Sequence, residues 1–327
     1  FSALPYRQRW HLLNFLEKLW ERQAELPSSL DLQTVDSWLT KIGQTDDVQK
    51  HLWGPLCRYL LGASLKQTRA SSFTDILAKI FFQSRNHRPR IAQLPQLSAL
   101  LKRTLSQRLE QQGAKIIDAI TIEHLRFSMD KIIEVCVSNS NPFSADWYIA
   151  AFNTSKLAAI LPERLLARYS FFNQINRTNQ IPMVKFRILI KGAIKNPRLI
   201  LNDDQFSWTL CSPIHLSKGT ATLVSHVSAG DINFVKDSDE QIKTHALETF
   251  HKIFPHQSFG HHYYSIIRNS CGFVPQTHGT EFSPPPNQSP IQNFLLAGSW
   301  TDTEALTELE SAIESGHRCA EGVIQKS

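Results

Sequence analysis

The chain has 327 residues, of which 42% are hydrophobic and 20% charged, with a formal net charge of +6. This composition excludes a disordered or fibrous chain and allows a sizeable core in one large or two ordinary domains. No apolar run reaches the roughly 20 residues that a membrane-spanning helix needs, and no signal segment is recognisable.

The charge and the cysteines limit the partners and the compartment. The chain carries no compact Lys/Arg cluster or nucleic-acid motif, so we predict no nucleic-acid partner. Its five cysteines are odd in number and none lies in a C-x-x-C pair, which favours a reduced protein without a disulfide or zinc framework. We therefore expect a cytoplasmic protein, with a peripheral location at the inner face of the membrane as a further expectation because the surface is mildly basic.

Residues 1–112 are predicted to be mainly helical. Over 6–23 the apolar residues recur at helical spacing and arginines flank the aromatic residues, which is typical of a packed amphipathic helix or of a helix lying in a membrane interface. Further helices are expected over 32–42, in QTDDVQKHLWGPLCRYLLGAS, in SSFTDILAKIFFQS and over 96–112.

Residues 113–152 change to strand character. Ile116, Ile120 and Ile122 suggest a strand pair, and DKIIEVCVS (130–138) predicts a further strand. DWYIAAF (146–152) is a short apolar run bounded by turn signals, as is typical of a buried parallel strand.

Residues 153–290 predict an antiparallel sheet with helices. VKFRILIKG (184–192) alternates apolar and polar residues, the pattern of a half-buried antiparallel strand. Short strands follow in LILND, FSWTLCS and TATLVSHVSA, a helix over 245–254, and a proline-rich connector over 281–290. With 291–327 as a strand–turn–helix, we predict a mixed α/β fold in which 113–152 and 291–327 form one domain and 1–112 and 153–290 form another.

The most informative stretch is NFLLAGSWTDTEALTELESAIESGHRCAEGVI, residues 293–324. An apolar strand stops at Gly298, and the capping pattern Thr307-x-x-Glu310 predicts a helix that begins near residue 308. We expect its inner face to carry Leu309, Ala312, Ile313 and Ala320. Small residues at 311, 312, 315 and 316 should make that face narrow, so that the helix can pack closely. A helix start with partial positive charge suits a pyrophosphate or a flavin carbonyl; an ordinary C-terminal helix is the alternative.

This stretch resembles the C-terminal flavin motif of the flavin-containing amine oxidase and phytoene desaturase superfamily. It is similar, more narrowly, to squalene-associated FAD-dependent desaturases, the hydroxysqualene dehydroxylases. The matching residues are Ala297, Gly298, Trp300, Thr301, Asp302, Thr303, Glu310, Ala312, Ser315 and Gly316. Residues 51–64, the helix–Gly–strand that leads to Ile122, and residues 145–162 resemble other family segments in the same order.

The resemblance implies a partial FAD/NAD(P)-binding Rossmann-like domain interleaved with a substrate domain, and FAD as cofactor. It implies an apolar isoprenoid substrate, with conversion of hydroxysqualene to squalene as the specific reaction. The implied cofactor-binding residues are Ile122, Ala151, Gly298, Ser299, Glu308, Leu309 and Ala312, while no catalytic residue is assigned.

Two departures from the family pattern keep other functions open. The sequence contains no G-x-G-x-x-G, so we expect a missing N-terminal segment or a partner chain to supply the pyrophosphate site. Ser299 stands where the family has an acidic residue, which we expect to weaken FAD binding. A carotenoid desaturase, an amine oxidase and a degenerate, non-catalytic relative remain alternatives.

The remaining polar residues give weaker signals. The histidines of HKIFPHQSFGHH (251–262) fit no common ligand spacing, so no metal is predicted. We interpret His215, His226 and His278 as surface or loop residues. Arg268 either faces the flavin or substrate or forms a surface salt bridge.

Overall fold

Two separate parts of the chain build each of two structural units. The computed structural model describes residues 5–21, 28–82, 97–176, 181–194, 199–202, 204–216, 219–255, 263–273, 284–303 and 308–326. Residues 1–95 and 180–281 form the first unit, and residues 96–179 and 282–327 form the second.

The first part of unit 1 is helical, as predicted. It contains α1 (Tyr6–Glu21), a 3₁₀ helix (Ser28–Leu32), α2 (Val35–Lys41), α3 (Asp46–Val48), a π-helical turn (Gln49–Trp53), α4 (Gly54–Leu61) and α5 (Ala70–Phe82). Four rings form an edge-to-face series through its core, Trp38 on Phe15, Phe15 on Trp53 and Trp53 on Phe73. Offset and edge-to-face packing of this kind adds to the burial of apolar area.

The first part of unit 2 begins with α6 (Leu97–Gln111) and a hairpin. Strands β1 (Ile122–Ser128) and β2 (Lys131–Val137) pair antiparallel. The strand expected at Ile116 and Ile120 is wrong, because residues 114–121 are irregular and both Ile116 and Ile117 are exposed. After β3 (Tyr148–Ala150) come three short helices, α7 (Thr154–Ile160), α8 (Glu163–Arg168) and α9 (Ser170–Asn176).

The sheet of unit 1 confirms the antiparallel prediction. Its strands are β4 (Ile181–Lys191), β5 (Leu199–Leu201), β6 (Trp208–Leu216), β7 (Gly219–Ala229) and β8 (Tyr263–Phe273), in the order β5-β6-β7-β4-β8 with every pair antiparallel. Helices α10 (Ile232–Lys236) and α11 (Asp239–Ile253) bury one face of this sheet. A complete capping box, in which Ser238 and Gln241 exchange hydrogen bonds, starts α11.

Unit 2 is completed by β9 (Phe294–Leu296) and α12 (Glu308–Ile324). Strand β9 lies parallel to β3, with Tyr148 opposite Phe294 and Ala150 opposite Leu296. All three residues of β9 are buried. This confirms that two short apolar runs, nearly 150 residues apart in sequence, form parallel strands of one unit.

The boundaries of the units differ from those drawn on the sequence. The units divide the chain at 95/96, 179/180 and 281/282, whereas the sequence places the divisions at 112/113, 152/153 and 290/291. Helices α6 to α9 therefore belong with the parallel strands. The mixed fold with both parallel and antiparallel strands is as predicted.

Candidate functional site

The carboxyl ends of β3 and β9 meet at one edge of unit 2. The amide of Ala297 donates to the carbonyl oxygen of Ala150 at 2.9 Å, so Ala151 and Gly298 follow at the same edge. In parallel sheets this is the edge at which ligands bind. Two of the predicted cofactor-binding residues are thus brought together by strands that the sequence separates widely.

Gly298 occupies a position that no other residue fits. Its φ of +154° is in the region that favours glycine, and a Cβ built there lies 2.5 Å from Nε1 of Trp300. That indole is buried, and its Nε1 donates to the carbonyl oxygen of Phe152 at 2.8 Å. The glycine is therefore required by close packing inside the protein, in addition to any ligand that approaches it.

Ser315 fastens this turn to α12. Its hydroxyl accepts a hydrogen bond from the amide of Gly298 at 2.8 Å and donates one to the carbonyl oxygen of Ala312 at 2.8 Å. The carbonyl oxygen of Gly298 accepts from both the amide and the hydroxyl of Thr301. Both polar backbone groups of Gly298 are thus used within the protein, which leaves its Cα as the surface for a ligand.

Asn287 fixes the same strand end from the other side. Its side-chain Nδ2 donates to the backbone carbonyl oxygen of Leu296 at 2.8 Å, and its backbone carbonyl oxygen accepts from the backbone amide of Leu296 at 2.8 Å. The buried thiol of Cys319 also donates to the carbonyl oxygen of Leu296 at 3.2 Å, and burial raises the pKa of this thiol. Sequence reasoning missed Asn287 because it lies in the proline-rich connector, where no periodicity identifies a positioning residue.

The predicted inner face of α12 is right for two of its small residues and wrong for its apolar ones. Leu309, Ala312, Ile313 and Ala320 are exposed, whereas Ser311 and Ser315 are buried, together with Cys319. The helix lies close to β9 through these small residues, which can make the hydrogen bonds that the strand end requires. The larger apolar residues consequently form a second, uncovered stripe near the helix start.

The other predicted site residues lie in different surroundings. Glu308 is the first residue of α12, but its side chain and the capping pattern at 304–307 lie outside the described residues. Ser299 is half-buried beside Gly298. Ile122 begins β1 in a separate two-stranded sheet, so it does not join the β3–β9 edge. The assignment of these residues to the cofactor stays a prediction.

The edge fits one side of a flavin. Ala151 and Gly298 lie at this edge, and Ser315 holds Ala312 to Gly298 through two consecutive hydrogen bonds. A flat aromatic ring system needs a surface without long polar side chains, together with a helix start nearby for its carbonyl edge.

His226, His251 and Arg268 belong to unit 1, whereas this site is built from residues of unit 2. His226 is fully buried in β7 rather than at the surface, so the prediction for it is wrong. His251 is exposed on α11, and His256, His261, His262 and His278 lie outside the described residues. Among the described side chains, no three His, Cys, Asp or Glu lie close enough together to hold a metal ion. Arg268 forms an ion pair with Asp239 at 2.7 Å, as the salt-bridge alternative predicted.

Solved structures with a similar fold include proteins described as oxidoreductases. An oxidoreductase from Methanosarcina mazei has a TM-score of 0.71 at 12% identity, covering 98% of this chain and 74% of that one. Cyclohexylamine oxidase from Brevibacterium oxydans has a TM-score of 0.66 at 13% identity, covering 100% of this chain and 76% of that one. At such identities the likeness shows the fold alone.

The family follows from the sequence comparison. The model of the flavin-containing amine oxidoreductases matches residues 1–324, so the chain belongs to that family. This confirms the superfamily recognised at residues 293–320.

Curated relatives of the chain include carotenoid desaturases. Zeta-carotene desaturase from Synechocystis sp. is 22% identical over 328 residues, covering 90% of this chain and 66% of the relative. The 15-cis-phytoene desaturase from an Oncidium hybrid cultivar is 21% identical over 221 residues, covering 62% of this chain and 37% of the relative. The chain thus spans from about a third to just under two thirds of the length of these relatives.

Proposed function

We propose that the chain is part of an FAD-dependent oxidoreductase that acts on an isoprenoid. Membership of the flavin-containing family supports the cofactor, and the zeta-carotene and phytoene desaturases among its relatives support an isoprenoid substrate. When bound, the flavin supplies the hydride chemistry, and the protein supplies orientation and a surface from which water is excluded.

The observation that supports this proposal best is the connection of Gly298 through Ser315 to Ala312. It holds the beginning of α12 at the carboxyl end of the parallel strands, where a flavin ring needs a rigid support. Rigid elements position a cofactor better than loops because their geometry does not change on binding.

The specific reaction we propose is the dehydroxylation of hydroxysqualene to squalene. The allylic C–O bond breaks, the hydroxyl group leaves with a proton as water, and a hydride from the reduced flavin forms the new C–H bond. The resemblance of residues 51–64, 145–162 and 293–320 to squalene-associated enzymes supports this choice.

Carotenoid desaturation is the second candidate, supported by the names of the curated relatives. In that case a hydride and a proton leave the polyene, and the flavin is reduced rather than oxidised. An amine substrate has weaker support, since cyclohexylamine oxidase and putrescine oxidase match in fold alone.

The FAD pyrophosphate requires a binding motif that the 327 residues of this sequence do not contain. No G-x-G-x-x-G occurs in the 327 residues, so our proposal assigns this contact to residues outside them, on the same or a partner chain. Replacement of the family's acidic residue by Ser299 removes one charged acceptor. Charge-assisted hydrogen bonds contribute about 1.5–3 kcal/mol each, so we expect weak retention of FAD.

Because an isoprenoid substrate dissolves in the bilayer, we propose that the protein also contacts a membrane surface. Tyr6, Trp10 and Leu13 are exposed along one side of α1, while Leu12 and Phe15 on its other side are buried. Aromatic residues beside Arg7 and Arg9 suit a helix that lies in the bilayer interface. Within the described residues, no helix combines the length and the hydropathy needed to cross a bilayer.

The decisive experiment begins with the purified full-length gene product. A visible flavin spectrum, with or without added FAD, is the expected result, and a colourless protein under both conditions would support the non-catalytic alternative. Product analysis with reduced flavin and hydroxysqualene, with phytoene, and with a simple amine then separates the enzymes. Turnover of the amine alone would overturn the isoprenoid proposal.

A further inference from the structure

Two adjoining cavities in unit 1 share part of their walls. The larger has a volume of about 750 Å³ and the smaller of about 570 Å³. Arg58, Ser64 and Lys66 line both of them. The larger cavity is also lined from the stretches 204–207 and 228–233, around the end of β7 and the start of α10. A space for a small molecule therefore lies beside two cations.

Two glycines join the walls of the larger cavity. Gly62 follows α4 with a φ of +70°, and Gly230 follows β7 with a φ of +82°. A Cβ built on Gly230 would lie 2.6 Å from the carbonyl oxygen of Gly62, so the two backbones approach closely. The amide of Gly230 also donates to the carbonyl oxygen of Pro182 at 3.0 Å. The walls are thus held together by backbone packing and not by the cations that line them.

The two cations have no anionic partner. Arg58 is half-buried near the end of α4, and Lys66 is exposed. Among the described side chains, neither forms an ion pair or donates a hydrogen bond. A half-buried guanidinium loses part of its hydration without gaining an acceptor, which is unfavourable. An oxyanion in the cavity would supply that acceptor.

The carboxylates of the larger cavity are already bound within the protein. One oxygen of Asp231 accepts from two backbone amides of α10 at 3.0 Å, and the other accepts from Nε2 of Gln205 at 2.9 Å. Asp204 pairs with Lys252 at 3.6 Å. Lys252 and the two cations of the cavity thus exceed the two carboxylates by one positive charge.

The smaller cavity suits an anion less well. Besides the shared residues it is lined by one further cation, Lys50, but by two carboxylates, Asp36 and Asp46. Lys50 does not line the larger cavity. The larger cavity is therefore the better site for an anion, and Lys50 marks the smaller one.

Buried hydroxyl groups complete the larger cavity. Ser228 is 3% exposed, yet its hydroxyl forms no hydrogen bond with any other residue that the structure describes. Ser207 is 1% exposed, and within the same described residues its hydroxyl only accepts, from the amide of Ala229 at 3.5 Å. A buried hydroxyl without a partner destabilises the folded state, so polar groups of a ligand would be favourable here.

We propose that the larger cavity binds a small, water-soluble phosphate monoester, with its phosphate at Arg58 and Lys66 and its hydroxyl-bearing body at Ser207 and Ser228. A guanidinium offers two parallel donors to phosphate oxygens, and an ammonium adds a point charge. A phosphate group carries close to two negative charges at pH 7, which matches two cations better than a carboxylate does. The site goes beyond the proposed redox reaction, because neither hydroxysqualene nor a carotene carries a phosphate.

The test compares two phosphate esters of similar size. Binding of glycerol 3-phosphate and of propyl phosphate to the full-length protein is followed by phosphorus NMR at constant ionic strength. We expect glycerol 3-phosphate to bind at least about threefold more tightly, in line with one neutral hydrogen bond. Ser228→Ala should reduce this preference. An equal concentration of acetate should not displace glycerol 3-phosphate.

The cations are tested one at a time. Arg58→Gln and Lys66→Met should each weaken the binding of both esters by at least about tenfold, as expected for the loss of a charge-assisted contact. Lys50→Met is the matched control, because it removes an equal charge from the smaller cavity alone, and it should keep the wild-type affinity. Thermal unfolding checks each variant; if Arg58→Gln fails to fold, Lys66→Met, at an exposed position, decides.

Wild-type affinity in a folded cation variant overturns the proposal, as does an equal loss in Lys50→Met, equal affinity for the two esters, or displacement by acetate. Loss of binding to phosphatidic acid vesicles in Lys66→Met, with unchanged affinity for glycerol 3-phosphate, assigns the cations to a lipid headgroup and also overturns it. Both variants should keep the flavin content of the wild type, and a decrease would assign the cations to the FAD pyrophosphate instead. The assay needs no turnover, so a failure of the isoprenoid reaction does not affect its outcome.

Discussion

The amide of Gly298 and the hydroxyl of Ser315 lie 2.8 Å apart and form a hydrogen bond that joins the end of a parallel strand to a helical residue 17 positions further along the chain. The same hydroxyl donates to Ala312, so one fully buried side chain satisfies a strand end and a helical carbonyl together. The stretch that resembles a flavin motif is thereby held in one arrangement by the protein's own hydrogen bonds.

Replacing Ser315 by Ala should loosen this stretch. The variant leaves the amide of Gly298 without its acceptor, and a partly buried, unsatisfied donor costs about 1–3 kcal/mol. We expect a decrease of that size in the free energy of unfolding, together with a lower ratio of flavin to protein after purification. Chemical unfolding and the visible spectrum measure the two effects.

Ser311 is the control for this prediction. It is buried one turn earlier on the same side of α12, and no hydrogen bond to Gly298 involves it. Ser311→Ala should keep the flavin content of the wild type, since Ala favours the helix. Equal flavin loss in both variants would show that general packing of the helix, rather than the Gly298 contact, is responsible.

Replacing Gly298 by Ala should be more disruptive. The new Cβ would lie 2.5 Å from the indole nitrogen of Trp300, at a φ of +154° that residues with a side chain rarely adopt. Backbone strain and overpacking each cost about 1–3 kcal/mol, and we expect loss of flavin as well.

Gly316→Ala is the comparison, because a Cβ there meets nothing within 4 Å, and in a helix interior it should stabilise the protein by about 0.5–1 kcal/mol. A stable, flavin-containing Gly298→Ala protein would contradict this account.

The sequence predicted the fold where hydrophobic periodicity and packing agree. Strand β4 alternates from Val184 onwards and became an inner strand of the antiparallel sheet, between β7 and β8. The short apolar runs around Ile149 and Leu295 became a parallel pair. Such patterns reflect burial, which dominates the free energy of folding.

Sequence reasoning failed where burial is decided by hydrogen bonding. On α12 the apolar residues Leu309 and Ile313 are exposed and Ser315 is buried, because the strand end needs a hydroxyl acceptor that no apolar residue provides. Likewise His226 is buried with Thr209 as partner. Periodicity does not distinguish a polar residue that finds a partner inside the fold from one that faces water.

Membrane binding through α1 is open to a direct test. Replacing Tyr6, Trp10 and Leu13 by Ser removes three side chains that are 81%, 59% and 51% exposed, so folding should be little affected. We expect at least a tenfold decrease in co-sedimentation with phosphatidylglycerol vesicles, since a loss of about 1.4 kcal/mol of interfacial binding is sufficient for that.

The α6 leucines supply an equivalent apolar stripe as a control. Leu101, Leu105 and Leu109 are also exposed at helical spacing, and their replacement by Ser should leave vesicle binding unchanged. If the α6 variant loses binding and the α1 variant keeps it, α1 is not the membrane contact.

His226 lies in an apolar pocket of unit 1 and should make stability depend on pH. Its ring packs near Phe206 and Phe250, its Nδ1 shares a 2.8 Å hydrogen bond with the hydroxyl of Thr209, and its buried Nε2 has no partner. Burial lowers the pKa of His226 from the ordinary 6.5 to about 4. The folded protein therefore keeps this histidine neutral at pH values where the unfolded chain is already protonated.

The sign of the effect follows from which state binds the proton. Because the unfolded state takes up the proton first, stability is full above pH 6.5 and falls as the pH is lowered towards 4. At 1.36 kcal/mol for each pKa unit the total loss is about 3 kcal/mol. His226→Phe should remove this component, so the difference in unfolding free energy between wild type and variant should change by that amount between pH 7 and pH 4.

His245→Gln is the control, since it alters an exposed histidine of α11. This variant should retain the wild-type dependence of the unfolding free energy on pH. Linkage requires the difference in unfolding free energy between wild type and His226→Phe to vary with pH wherever the folded and unfolded states bind different numbers of protons. If this difference stays constant between pH 7 and pH 4, the pKa of the buried imidazole is not lowered in the folded protein.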